Sequence, residues 1–198
     1  MLTFVIAVGG TTVAKSEGAV SLNALTASPH RIGEGKFWLL ITSGLLVERP
    51  IALSMLSFVG LAVLTLGVCG HRILWSAAVI GHVASTLLVY VAIGAYGLGE
   101  PDAFQASFTA PDYGVSAITA AWLGAVATIA WRRRARTPAT KLAIVVTCVA
   151  VALFAWMLRG NLNVLDSEHV VAFVLGIAIA SGGIRIFAPR SELDPATR

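Results

Sequence analysis

The sequence of residues 73–99 is ILWSAAVIGHVASTLLVYVAIGAYGLG, a stretch without Asp, Glu, Lys or Arg. A helix needs about 20 predominantly apolar residues to cross the hydrocarbon core of a bilayer. Because an unpaired charge at that depth is costly, a charge-free run of this length predicts a transmembrane helix. This one stretch therefore places the chain among the helical membrane proteins.

Similar charge-free runs occupy much of the remaining chain. The 198 residues are 57% hydrophobic and 12% charged, and the mean hydropathy is +0.84, values that a water-facing surface of this size does not tolerate. The other runs span residues 1–14, 50–71, 113–131, 142–158 and 170–184. No internal repeat or linker separates them. We predict an all-α polytopic membrane protein, with residues 1–198 forming a single domain of six helices.

The first charge-free run is too short to cross the hydrocarbon core as a helix. Residues 1–14 rise only about 21 Å as a helix, against a hydrocarbon core of about 30 Å. Either this segment is incomplete or the true start lies upstream. A signal peptide is a competing interpretation of Met1 to Ala14, although no basic region precedes the apolar residues.

The distribution of charge predicts the orientation. The heaviest basic cluster is Arg132-Arg133-Arg134-Ala135-Arg136, and the positive-inside rule makes that loop cytoplasmic. Alternation then puts residues 15–49, 99–112 and 159–168 outside. Nine basic and two acidic residues fall inside, against five basic and eight acidic residues outside. The excess of basic over acidic residues therefore reflects the orientation in the membrane rather than nucleic-acid binding. Both termini are expected in the cytoplasm.

Cysteine and histidine usage argues against a metal centre or cofactor. Cys69 and Cys148 both lie inside apolar runs, so neither a disulfide framework nor a cysteine metal site is expected. The four histidines are scattered over both sides of the membrane and its interior. We predict no metal and no cofactor.

Few polar side chains fall at membrane depth, and these are where function is expected. Ser116 and His169 lie near the starts of the fourth and sixth predicted helices, which run in the same direction, and His82 lies within the third. Small residues recur every four positions on the helices that carry the first two: Ser116, Ala120 and Gly124, and Ala172, Gly176 and Ala180. Such faces let helix backbones approach closely in lipid. If the two faces pack together, the Ser116 hydroxyl approaches the His169 imidazole, and the two can act as nucleophile and base. A serine on such a face is also explained by helix packing alone.

Three motifs occur in the order found in one enzyme family. Gly114-Val115-Ser116-Ala117, followed by Gly124-Ala125, resembles the serine motif of the rhomboid intramembrane proteases. The stretch from His169 to Gly176 is similar to the last rhomboid helix, and Trp38-Leu39-Leu40-Ile41-Thr42-Ser43 resembles the segment before their second helix. Asp112-Tyr113-Gly114-Val115-Ser116, with Gly81-His82 on the third predicted helix, more closely resembles a divergent rhomboid-like group in actinobacteria. The resemblance implies a six-helix rhomboid-like bundle with Ser116 and His169 as a catalytic dyad near the outer leaflet, in a bacterial plasma membrane.

The sequence departs from the family at the oxyanion donors. Rhomboids carry His and Asn on the second helix, whereas residues 37–70 contain neither. Backbone N–H groups at the start of the fourth helix, around Gly114, and the side chain of His82 are the candidates to replace them. The alternative for His82 is a neutral core histidine bonded to a hydroxyl such as that of Ser85 or Thr86.

Asp112 precedes the serine by four residues, and we predict that it caps the fourth helix. The alternative is that Asp112 is the acid that partners the His169 imidazole, a role that Glu168 or Asp166 could also fill.

Two functions follow from these residues. The first is an intramembrane serine protease that acts on a transmembrane substrate. The alternative is a non-catalytic rhomboid-like protein that binds the transmembrane segments of client proteins. A transporter is a third class, but the internal repeats expected of one are not seen in the sequence. In every case the lipid bilayer is a partner and nucleic acid is not.

Overall fold

The computed structural model describes residues 1–47, 49–97, 101–134, 136–157 and 164–183. Most of these residues are in helices joined by turns and irregular segments, and one isolated bridge links Ala27 and Asp112. In chain order the helices are α1 (Leu2–Ser16), α2 (Leu22–Leu25), α3 (Pro29–Gly33), α4 (Leu39–Thr42), α5 (Ile51–Cys69), α6 (His71–Tyr96), α7 (Pro101–Thr109), α8 (Ser116–Arg132), α9 (Pro138–Met157) and α10 (Val164–Ala180). The predicted cytoplasmic tail lies outside the described residues.

Among the described helices, α5, α6 and α9 are long and apolar enough to cross a membrane. Helix α1 is apolar but has 15 residues, and α8 and α10 have 17 residues each, which corresponds to about 26 Å of rise. The predicted all-helical membrane class is confirmed at this level. Each predicted run overlaps one helix, although α9 begins at Pro138 and α10 at Val164, before the charge-free runs that start at residues 142 and 170.

Helix α8 lies at the centre and packs most extensively on α10, then on α6, α5 and α9. Its Trp122 is almost fully buried, stacks on Phe58 of α5 and donates a hydrogen bond of 2.9 Å to the carbonyl of Leu74 in α6. On the same helix Ala121 is fully buried, and a Cβ added at Gly81 of α6 would overlap its methyl group. Small residues therefore bring α6 and α8 into close contact.

Helices α8 and α10 run parallel, as predicted. Arg132, the last residue of α8, donates hydrogen bonds to the carbonyls of Ala180 and Ser181 at the end of α10, at 3.2 and 3.4 Å. A cation at this position satisfies carbonyls that have no intrahelical donor. The starts of the two helices, and with them Ser116 and His169, therefore lie at the opposite end of the bundle.

The segment between α1 and α5 folds over that same end. Its Ala27 exchanges two backbone hydrogen bonds with Asp112, at 2.8 and 2.9 Å. Further along, the N–H of Val47 donates to the buried Thr12 hydroxyl of α1 at 3.2 Å. Within α4, Leu39 and Leu40 are buried whereas Ile41 is exposed. The segment is thus a packed cover over the start of α8.

Candidate functional site

Ser116 is the first residue of α8, and its side chain is exposed. The chain reaches it through Gly114, whose φ is +131°, a backbone conformation that residues with a Cβ rarely adopt. A Cβ at Gly114 would also lie 3.3 Å from Ser116 Oγ. Glycine at this position therefore both makes the turn into α8 and leaves the serine hydroxyl accessible.

Ser116 and His169 line one cavity of about 460 Å³, a volume within the usual range for ligand sites. Its walls come from α8, α9 and α10 and are mostly apolar. Phe154 of α9 holds the imidazole from one side, with ring centroids 5.8 Å apart and planes at 83°. Asp166, one turn before His169, lies in the same lining. The structure thus brings together the two residues predicted to form the dyad.

Close packing of α8 on α10 sets this arrangement. A Cβ at Gly124 would overlap the carbonyl oxygen of Phe173, and a Cβ at Gly176 would overlap the carbonyl oxygen of Ala121. The predicted contact between the small faces of these helices is therefore confirmed. Because the backbones touch at these glycines, the rotation of α10 is fixed, and His169 faces the cavity.

A second and larger cavity, of about 800 Å³, lies beside the first. It is bounded by α5 and α9, with α8 behind, and the side chains of its walls are mostly apolar, among them Leu61, Leu142 and Val145. Ser116 belongs to the lining of both cavities. The hydroxyl is therefore open to an apolar channel between α5 and α9 as well as to the space around His169.

The backbone N–H groups just before Ser116 already have acceptors. The N–H of Gly114 donates to the carbonyl of Ser43, and that of Val115 donates to the carbonyl of Leu46, both at 2.9 Å. The N–H groups of Ser116 and Ala117 belong to the first turn of α8, where no intrahelical acceptor exists. Donors to an oxyanion are thus better sought at Ser116 and Ala117 than at Gly114.

His82 lies on the far side of α8 from these cavities. Its side chain is 5% exposed, and Nε2 lies 3.3 Å from the hydroxyl of Ser43. A Cβ at Gly44 would come within 2.8 Å of the imidazole, so the covering segment packs directly on the ring. The structure therefore resembles the alternative prediction of a core histidine bonded to a hydroxyl, with Ser43 in place of Ser85 or Thr86.

The prediction that Asp112 caps α8 is wrong. The N-cap residue is Val115, and no side chain caps that end of the helix. The carboxyl group of Asp112 is buried and accepts a hydrogen bond of 3.0 Å from Tyr90 of α6. Burial raises the pKa of this carboxyl above its ordinary value, against the opposing effect of the Tyr90 hydrogen bond. The cause is local geometry, since Asp112 is held by its bridge to Ala27.

Glu168 also faces away from the cavity. Although it is adjacent to His169 in sequence, it is 5% exposed and its Oε1 accepts hydrogen bonds from Thr86 at 2.5 Å and Ser85 at 3.4 Å. Of the three acids considered as partners of His169, only Asp166 shares its cavity. A polar stripe on α6 could have revealed this second cluster, because His82, Ser85, Thr86 and Tyr90 recur at the spacing of one helix face.

In the part of the chain that the structure describes, no group of three His, Cys, Asp or Glu residues could hold a metal ion. Comparison with protein-family models, with curated proteins and with solved structures finds no match.

Proposed function

We propose that this protein is a rhomboid-like intramembrane serine protease that uses Ser116 and His169 to cleave a transmembrane substrate. The observation that carries the proposal is the shared cavity: an exposed serine hydroxyl and an imidazole line the same space. The sequence resemblance assigns the same two residues.

The chemistry follows from the roles of the two side chains. Ser116 Oγ attacks the scissile carbonyl while His169 accepts its proton, and the imidazolium then returns that proton to the leaving amine. Water attacks the acyl enzyme in a second round of the same steps. The N–H groups of Ser116 and Ala117, in the first turn of α8, are the donors to the developing oxyanion.

A transmembrane helix is the substrate class that best fits the surroundings. The larger cavity is walled mostly by apolar side chains of α5 and α9 and reaches Ser116. In a bacterial plasma membrane with the loop after α8 in the cytoplasm, the site faces the outer leaflet. A reporter fused after Arg136 should then be active only in its cytoplasmic form, and the opposite result would contradict this orientation.

One observation favours the second candidate, a non-catalytic protein that binds transmembrane segments of clients. The N–H groups of Gly114 and Val115 are bonded to the covering segment, and His82 is bonded to Ser43. The described cavity linings contain hydroxyl groups but no Asn, Gln or second His, the side chains that could replace the rhomboid oxyanion donors. Loss of a single such donor costs about 2.7 to 4 kcal/mol in hydrolases where it has been measured, so binding without cleavage is the natural alternative.

Labelling of the purified protein by a fluorophosphonate probe separates the two functions. We expect wild type to react and Ser116→Ala to be unreactive. Ser57→Ala is the matched control, because this exposed serine of α5 lines the larger cavity and its loss should leave labelling intact. A wild type that is never labelled, yet crosslinks to a transmembrane peptide as well as Ser116→Ala does, would favour the binder.

A further inference from the structure

A buried polar cluster lies beside the cavities but outside them. It joins Ser43 of the covering segment, His82 and Tyr90 of α6, Asp112 before α8 and Glu168 of α10. The two acids are 8% and 5% exposed, so the cluster holds two carboxyl groups that are almost entirely removed from solvent.

Among the described residues, the side-chain hydrogen bonds that the two acids accept come from neutral hydroxyl groups. Tyr90 donates to Asp112 Oδ2 at 3.0 Å, while Thr86 and Ser85 donate to Glu168 Oε1. In the described residues no Lys or Arg is paired with either acid. Hydroxyl groups can accommodate one buried negative charge, but they do not neutralise two.

Thr86 and Tyr90 are one helical turn apart on α6, so the two carboxyl groups that they bind lie next to each other. An ionised carboxylate can only accept hydrogen bonds, so a bond between two carboxyl groups requires a proton on one of them. Two ionised carboxylates at contact distance repel strongly at low dielectric, and such pairs retain one proton well above the ordinary pKa of an isolated acid.

The imidazole of His82 lies beside the same two acids. His82 Nδ1 is buried, has no hydrogen-bond partner in the described part of the chain, and lies 3.7 Å from Glu168 Oε1. Since the other ring nitrogen is engaged with Ser43, the imidazole directs one polar atom at the acid pair. A third titratable group thus faces the two carboxyls.

We propose that Asp112 and Glu168 form a buried proton-binding site, in which the two carboxyl groups hold one proton between them at neutral pH. The bound proton joins α10 to the segment that leads into Ser116. This site is independent of the proposed protease chemistry, since it would exist equally in a protein that only binds helices. Burial, which raises the pKa of the Asp112 carboxyl, favours retention of the proton.

Infrared spectroscopy of the purified full chain at pH 7 tests the site. A protonated carboxylic acid has a C=O stretching band separate from the bands of carboxylates. We expect this band in wild type and its loss in both Glu168→Gln and Asp112→Asn, because an amide can donate the hydrogen bond that the shared proton provides. Glu34→Gln is the control: Glu34 is exposed and paired with Lys36 at 2.8 Å, so its removal should leave the band unchanged.

Tyr90→Phe supplies a test that does not depend on changing either acid. Removal of its hydrogen bond to Asp112 should shift the frequency of the band without abolishing it. The proposal is overturned if wild type has no protonated carboxyl band, if folded Glu168→Gln and Asp112→Asn both retain it, or if Tyr90→Phe leaves its frequency unchanged. An imidazolium signal from His82 in place of the carboxyl band would also overturn it, because the proton would then reside on the ring.

Discussion

Ser116 and His169 are each held by the residue or turn that precedes them. Before Ser116, the N–H groups of Gly114 and Val115 are bonded to the covering segment. Before His169, Glu168 is bonded to the hydroxyls of α6. Backbone hydrogen bonds therefore fix the chain before Ser116, and side-chain hydrogen bonds fix it before His169, while Ser116 itself stays exposed to the cavities.

The first prediction concerns the dyad as a unit. If Ser116 and His169 act together, Ser116→Ala, His169→Ala and the double variant should be about equally inactive, because loss of either partner removes the whole function of the pair. Cleavage of a transmembrane substrate in detergent or liposomes measures this. Proteolysis retained in Ser116→Ala would refute the assignment.

The second prediction concerns His82. Its ring is buried against Gly44 and bonded to Ser43, so His82→Ala leaves both a cavity and an unpaired hydroxyl. We expect a loss of about 1 to 3 kcal/mol in the free energy of unfolding, with labelling of Ser116 unchanged per folded molecule. His71→Ala, at an exposed position of the same helix, should change neither. A folded His82→Ala protein with strongly reduced reactivity would instead favour a role at the oxyanion.

Contacts between residues on regular helix faces can be predicted from the sequence, whereas contacts between irregular segments cannot. That Ser116 and His169 line one cavity could be predicted, because each residue continues the small-residue face of a long helix. The burial of Asp112 beside Tyr90 could not, since it depends on the bridge between Ala27 and Asp112, and no periodicity encodes a contact between two irregular segments.

At the scale of the helices, α8 is the element on which the others depend. It contacts α10 through Gly124 and Gly176 and contacts α6 through Gly81. In a bilayer the hydrophobic effect does not drive helices together, and van der Waals packing between closely approaching backbones, which small residues permit, stabilises the contact. The existence of these helices was predictable from charge-free runs but their exact ends were not, since α10 begins at Val164 and its run at residue 170. The short helices α2, α3 and α4 carry no such signal.

The third prediction tests this packing. Gly124→Ala and Gly176→Ala should each destabilise the solubilised protein by about 1 to 3 kcal/mol, because the new methyl group would overlap a backbone carbonyl that cannot move aside. Gly67→Ala is the control: it is a helical glycine of α5 with no atom within 4 Å of an added Cβ, and alanine there should be neutral or slightly stabilising. Equal effects of the three changes on the thermal midpoint would contradict the close packing.

For the molecule as a whole, the buried acids predict a dependence of stability on pH. The pKa of Asp112 is raised by burial in the folded protein, whereas in the unfolded chain it is about 4. Between these values the folded state binds more protons than the unfolded state, so stability falls as the pH rises from about 4 through the folded-state pKa.

The fourth prediction follows directly. The thermal midpoint of wild type, measured relative to that of Glu168→Gln at each pH, should decrease between pH 5 and pH 8; each loss of about 1 kcal/mol corresponds to roughly 2 to 4 °C for a chain of this size. Glu168→Gln is the reference because the remaining carboxylate accepts a hydrogen bond from the amide. A difference between the two midpoints that grows over this interval would contradict the assignment.

Helix α10 is anchored along its whole length: Glu168 ties its start to α6, Gly176 leaves no space at its middle, and Arg132 holds its last carbonyls. It can neither slide nor turn without breaking one of these contacts. Helix α9 packs far more lightly, on α8 and α5, yet it forms a wall of both cavities. When a guest larger than either cavity enters, we therefore expect α9 to be displaced before α10.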